Sequence, residues 1–329
     1  MVTFWVTILA LSMLLYVLLD GFDLGVGILF GLSAGDSERR TMMSAVAPVW
    51  DGNETWLVVT AVVLWGAFPL VYSILLSAFY LPLLLMLAAL ILRGVAFEYR
   101  SKTQRLRWIW NAAFAGGSLV AAFIQGLTVG ALVEGLPVAG PLYTGGAFGW
   151  LSPFALLCGV GLCIGYALLG ACWLVKKCDG EVRESAYRLI PLLSIGLLVF
   201  LIVVFIYALA ENLQVMHRWF EQPILFVFPL AGALASLVLA HSVIYRRDGT
   251  PFYMVALIFS AAFGTLAISF WPYMIPFSIT IDSAAAPHST LAFMFWGAGL
   301  FVFPLMLVYT AISYYVFHGK AKVEAGDYQ

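Results

Sequence analysis

Charge is scarce in this sequence. Only 10% of its residues are Asp, Glu, Lys or Arg, against about 25% in an ordinary soluble domain, which excludes a water-soluble globular fold of the usual kind. A surplus of one sign is missing too: 16 basic residues stand against 17 acidic ones, so the net charge of −1 excludes a general binder of nucleic acid or anionic surfaces. Cysteine is limited to Cys158, Cys163, Cys172 and Cys178, with no C-x-x-C pair. That pattern reads as small apolar side chains in one helix, neither a disulfide framework nor a metal site. Residues 1–19 lack the positive start of a secretory leader, and polar residues follow where a small-residue cleavage site would stand, so the first apolar run is expected to stay. No internal repeat is recognisable, which counts against a transporter built from inverted halves.

Long apolar runs are what the chain has in quantity, and 63% of its residues are hydrophobic. A run of about 20 residues crosses a hydrocarbon core of about 30 Å at about 1.5 Å per residue. Nine such segments are expected, at residues 4–31, 52–69, 72–97, 109–133, 150–175, 188–211, 223–245, 252–273 and 290–316. The expected fold is therefore all-α, a polytopic membrane protein with about nine transmembrane helices, forming a single transmembrane domain over residues 1–329 with no separate soluble domain. The basic residues fall in alternate connections: Arg39 and Arg40; Arg100, Lys102, Arg105 and Arg107; Lys176, Lys177, Arg183 and Arg188; Arg246 and Arg247; Lys320 and Lys322. Only Arg93, inside the third segment, and Arg218 depart from this pattern. By the positive-inside rule the N-terminus lies outside and the C-terminus in the cytoplasm. The outer connections 134–150 and 272–289 are rich in Gly or Pro and read as irregular loops. The 11 Trp residues suit interfacial belts.

Against this background a few polar groups stand at membrane depth, where an ionised side chain costs about 2.5–3.5 kcal/mol on insertion scales. Asp20 and Asp23, three apart, share one helical face, and Gly21 and Gly25 provide a small-x-x-x-small surface for close packing. Two carboxylates this close disfavour joint ionisation, leaving a group able to carry a proton; alternatively a backbone group or a neighbouring arginine holds them. The stretch Pro48-Val49-Trp50-Asp51-Gly52-Asn53-Glu54-Thr55-Trp56 gathers polar and aromatic residues at the start of the second segment. Asp51 followed by Glu54 has the spacing of a capping box, while Asn53, Glu54 and two tryptophans at that boundary point to proton uptake or partner contact. Arg93 sits about 7 Å deeper than Glu98 and needs an anion or a long reach to water, so a polar cluster of Arg93 with Asp20, Asp23 and Asp51 is expected. Glu98 and Lys102 form an i, i+4 pair in the favourable order. Gln125, Glu134 and Glu211 read as packing, hydrogen-bonding or solvated groups. Of the four histidines, His217 and His288 fall in outer loops, His318 in the tail, and His241 near the inner end of a segment, as a haem ligand or an interfacial histidine satisfied by its neighbours. A chain holding several haems between its own helices would show intramembrane His or Met pairs.

The sequence resembles subunit II of the cytochrome bd-type quinol oxidases, a family that includes the cyanide-insensitive oxidases. Three stretches carry the likeness: Asp20-Gly21-Phe22-Asp23-Leu24-Gly25-Val26-Gly27; Glu38-Arg39-Arg40 leading into Ala47-Pro48-Val49-Trp50-Asp51-Gly52-Asn53-Glu54-Thr55-Trp56-Leu57; and Arg93-Gly94-Val95-Ala96-Phe97-Glu98-Tyr99-Arg100-Ser101-Lys102. Weaker agreement appears at Pro276-Phe277-Ser278-Ile279-Thr280, at Asp282-Ser283-Ala284-Ala285 and at Pro287. The resemblance implies a bacterial inner-membrane complex in which subunit I holds two haems b and one haem d, oxidises quinol at the outer face and reduces oxygen to water. It implies that this chain supports subunit I and supplies part of an electrogenic proton route from the cytoplasm. In the family that route is proposed to include positions matching Asp51, Glu98 and Lys102, where Glu98 replaces the aspartate of some members. Trp50, Asn53, Glu54, Arg93 and Arg100 are the supporting or interface candidates. The family also has members with a small accessory subunit and members with a structural quinone in subunit II. No residue here identifies a quinone site. Intramembrane carboxylates would equally suit a proton-coupled secondary transporter, and a purely structural scaffold is the third reading.

Overall fold

The computed structural model describes residues 1–211 and 223–321; His217, Arg218 and Lys322 lie outside the described residues. Helices dominate. In chain order they are α1 (Val2–Leu32), α2 (Asp36–Val46), α3 (Trp50–Ala67), α4 (Pro69–Lys102), α5 (Arg107–Glu134), α6 (Pro153–Lys177), α7 (Gly180–Ala210), α8 (Val227–Ile244), α9 (Thr250–Phe270), the short α10 (Ile281–Ala284), α11 (His288–Met294) and α12 (Val302–Val316). A π-helical turn at Phe295–Gly299 links α11 to α12, so His288–Val316 acts as one span of 29 residues. Eight helices are long and apolar enough to cross a membrane among the described residues. The expected segment missing from these eight is the second, residues 52–69, which is α3, helical over 18 residues but opened by Asp51, Asn53 and Glu54, which dilute its apolar character.

Local chemistry explains the boundaries. Phe68 alone separates α3 from α4, and Pro69 takes the first position of α4, where its missing N–H costs nothing. Further along α4, Pro82 removes a helical donor, and the chain bends at Phe79 (φ −112°, ψ 19°) one turn earlier. Ser152 caps α6 by accepting the Ala155 amide at 2.9 Å, and its hydroxyl donates to Glu134, tying both ends of the α5–α6 connection. The amphipathic α2 begins with Asp36 and Glu38 and buries Met42, Met43, Ala45 and Val46. The two outer connections are not wholly irregular: β1 (Val138–Ala139) pairs with β2 (Leu142–Tyr143), and β3 (Tyr273–Ile275) with β4 (Ile279–Thr280). These ladders satisfy backbone groups that an irregular loop would leave to water.

Helix α1 lies at the centre, against α3, α5 and α6. Its contact with α6 is backbone to backbone: a Cβ on Gly25 would stand 1.8 Å from the Tyr166 carbonyl oxygen, and one on Gly170 would stand 2.5 Å from Gly25. The apolar core divides along this helix. Trp5, Ile8, Leu9 and Tyr16 pack with α3, the start of α4 and α11, whereas Phe22, Leu24 and Phe30 pack with α5, α6 and α9. Asp20 and Asp23 sit at the seam.

Candidate functional site

Arg93 and the α1 carboxylates form one buried cluster. The Arg93 guanidinium, with no exposed surface, donates to Asp20 Oδ1 at 3.2 Å and stands 3.7 Å from Glu54 Oε2. Around Arg93, α4 and α5 approach closely: a Cβ on Gly117 would stand 2.5 Å from the Ala89 carbonyl oxygen, one turn before Arg93, and 3.2 Å from the Arg93 side chain. Asp23, fully buried, accepts the Asn53 amide at 2.7 Å, and Asn53 also donates to the Leu19 carbonyl at 3.2 Å. From α12 the Tyr314 hydroxyl donates to Asn53 Oδ1 at 2.9 Å. On the other side Gln125 donates to the Tyr16 hydroxyl at 2.8 Å and accepts from Tyr166 at 2.9 Å, while Tyr16 lies one turn before Asp20. Of these polar groups Glu54 is the half-open one, its side chain 26% exposed. Asp20 Oδ2, Asp23 Oδ1 and Arg93 Nε and Nη2 have no protein hydrogen-bond partner. Donors and acceptors orphaned side by side are what bound water satisfies.

The expected cluster therefore exists with one change: Asp51 is exposed and outside it, and Glu54 takes its place against Arg93. Nor is the expected capping box made. Helix α3 starts at Trp50 with Val49 as its cap, leaving Asp51 in the first turn without a capping hydrogen bond. Glu98 and Lys102 pair at 3.4 Å on the surface, 67% and 69% exposed. Trp50 stacks on Phe97, ring centroids 4.9 Å apart, which joins the start of α3 to the end of α4. Arg100 belongs to a second group, donating to Asp36 at 2.7 Å and to Asn111 at 2.6 Å with its guanidinium over Phe30. His241 is exposed, its ring against Tyr245.

A family profile for cytochrome bd terminal oxidase subunit II matches residues 1–317. This chain belongs to that family. Among its relatives is the probable cytochrome oxidase subunit 2 of Haemophilus influenzae, 31% identical over 96% of this chain and 93% of that one. The cytochrome bd-I ubiquinol oxidase subunit 2 of Escherichia coli is 30% identical over 97% and 95%, and the Bacillus subtilis subunit 2 is 27% identical over 96% and 95%. The fold is shared with a chain of the bd oxidase of Geobacillus thermodenitrificans, with a TM-score of 0.76, 17% identity and 96% of each chain covered.

For a bd oxidase subunit II the arrangement has a clear chemical character: buried carboxylates, an arginine, an amide and tyrosines joined in one polar group inside an apolar bundle. Among the described residues no three His, Cys, Asp or Glu side chains converge on a metal site. The four cysteines are buried and unpaired, and burial pushes the Cys178 thiol up to about 12. A large apolar cleft between α4, α5 and α6, lined among others by Pro82, Phe123, Trp150 and Cys163, offers walls suited to an acyl or isoprenoid chain. Tyr16, Tyr166 and Tyr314 are the site residues that the sequence reading passes over. The i, i+4 spacing of Tyr16 and Asp20 was a usable signal, whereas Tyr314 meets Asn53 across a separation of 261 residues.

Proposed function

We propose that this chain is the second subunit of an electrogenic quinol:oxygen oxidoreductase in the bacterial cytoplasmic membrane, a single transmembrane domain with its N-terminus outside and its C-terminus in the cytoplasm. Its partner, subunit I, is the haem-bearing chain, where two haems b and a haem d carry electrons from quinol to oxygen. The Escherichia coli and Bacillus subtilis relatives, each subunit 2 of a cytochrome bd ubiquinol oxidase, support this reading. Protons consumed in making water come from the cytoplasm while electrons come from quinol at the outer face, so each turnover separates charge. Membrane lipid surrounds the assembly, and a small accessory subunit is a further partner to look for in the purified complex.

One observation carries the proton-handling part: three carboxylates gathered around a single buried arginine, at the helix ends where the basic connections lie. Asp51, Glu98 and Lys102 stand on that same surface as collecting groups, and Asp20 and Asp23 receive the proton inside. A purely structural role for this chain predicts that Asp51→Asn in the purified complex leaves oxygen consumption unchanged. The proton route predicts slowed oxygen reduction with the haem spectrum intact, and normal turnover would remove Asp51 from the route. Purifying the tagged chain from its native membrane should yield a larger haem-bearing partner; a colourless chain without a partner would favour the transporter reading.

A further inference from the structure

The two carboxylates of α1 keep unequal company. Asp20 has the Arg93 guanidinium at 3.2 Å. Asp23, one helical turn on, has a neutral amide: Asn53 donates to its Oδ2 at 2.7 Å, and its Oδ1 has no partner. The groups facing Asp23 are Asp20 on its own helix, Asn53 and Glu54 from α3, Arg93 from α4 and Tyr314 from α12, so the cluster holds a single cation for three carboxylates. With Asp20 and Glu54 already against Arg93, an ionised Asp23 would be a fully buried anion with no cation of its own, an arrangement that proteins avoid by neutralising the group. A proton on Asp23 Oδ1 turns an orphaned acceptor into a donor. One bound water is enough to satisfy a donor at that position.

A small crevice adjoins the partners of Asp23. Beside Asn53 and Tyr314 lies a crevice with room for about one water molecule, walled by Pro48, Val49, Gly52, Tyr309 and Ser313. Its walls include the α2–α3 turn and the two side chains that hydrogen-bond in series to Asp23.

We propose that in the resting protein Asp23 is held as the neutral acid and Asp20 is the anion of the Arg93 pair, and that the proton of Asp23 exchanges with water that enters at the Asn53–Tyr314 crevice. Use of that proton in turnover rests on the oxidase reading above; its presence on Asp23 does not.

Infrared difference spectra of the purified complex in H2O and D2O read the neutral acid directly, as a carboxyl C=O stretch that shifts on deuteration. The band is expected in the wild type, absent in Asp23→Asn and retained in Glu54→Gln. Tyr314→Phe, which deletes one hydroxyl, should keep the band and change its hydrogen–deuterium exchange rate several-fold. Should Asp23→Asn fail to assemble, Asp23→Glu keeps the carboxyl and must shift the band. A wild type without the band, a band lost in Glu54→Gln, or one unmoved by Asp23→Glu would overturn the assignment of the proton. Exchange unaltered in Tyr314→Phe would overturn the crevice as its path. These readings do not depend on turnover, so the oxidase function can fail its own test while this one stands, and the reverse.

Discussion

A guanidinium with no exposed surface, carried on α4, is met by carboxylates on two other helices, and the asymmetry of such a contact sets what its loss does. Forming a buried pair gains little, because both charges leave water; removing one partner strands the other and costs about 3–5 kcal/mol. Arg93→Leu is therefore expected to lower the yield of assembled complex sharply and to depress its thermal midpoint in detergent. Arg93→Leu combined with Asp20→Leu should recover part of that loss, which a melting series on the variants and the wild type checks. Glu98 and Lys102, exposed and paired at 3.4 Å, are expected to move the midpoint little when either is neutralised, since surface pairs contribute about 0–1 kcal/mol. The contrast between these two sites was partly legible in the sequence. An arginine inside an apolar run demanded an anion, and Asp20 lay at a compatible depth. That Glu54 and not Asp51 would share Arg93 was hidden, because residues three apart lie on nearly one helical face and the sequence does not fix which turn of α3 stands level with Arg93.

Among the elements, α1 and α6 meet through glycines, and here steric exclusion decides. Gly25→Ala would set a methyl group 1.8 Å from the Tyr166 carbonyl oxygen, on backbone that cannot step aside without separating the helices. Gly116→Ala, on α5, has nothing within 4 Å of the added carbon and should be accepted. Expression of both variants, scored by the fraction recovered as assembled complex, is expected to show loss for Gly25→Ala and near-normal recovery for Gly116→Ala. The apolar runs announced the long helices because lipid and helix interiors both demand uninterrupted hydrophobic side chains. Helix α2 gave no such announcement: it is polar and lies in a connection, and its buried Met42, Met43, Ala45 and Val46 make too short a stripe to stand out. The two small ladders were invisible for a related reason, since strands of two or three residues carry no alternation to detect.

At the scale of the molecule, the basic end is tied together by its charges. Arg183 grips Asp248 through contacts of 2.8–3.1 Å, Tyr187 donates to the same carboxylate at 2.9 Å, and Lys320 reaches it at 3.3 Å while also donating to the Cys178 carbonyl at 2.9 Å. Lys177 holds the Phe317 and Gly319 carbonyls, and the Ala321 amide donates to the Lys177 carbonyl at 2.7 Å. The connections α6–α7 and α8–α9 and the end of α12 are thus one charged knot. Partial burial acts to raise the Asp248 carboxyl, but hydrogen bonds from Arg183, Tyr187 and Lys320 outweigh it and hold the group below its usual range. The unfolded carboxyl, at about 3.9, takes up a proton first as pH falls. The contribution of Asp248 is therefore complete above about pH 4 and disappears as pH drops through the lower folded value. The difference in melting midpoint between wild type and Asp248→Asn should be full at neutral pH and close towards zero in acid; a gap that widened in acid would contradict this sign.

The Arg93–Asp20 contact joins residues 73 apart in the chain, and that distance is also an interval in time. The ribosome delivers α1, with Asp20 and Asp23, well before α4 exists, so the first helix must wait in or beside the insertion machinery with its carboxylates unanswered. Chains arrested before residue 93 should be released from the membrane or degraded more readily than chains arrested just beyond residue 102. The arginine would then mark the moment in synthesis at which the first helix becomes committed to the bilayer.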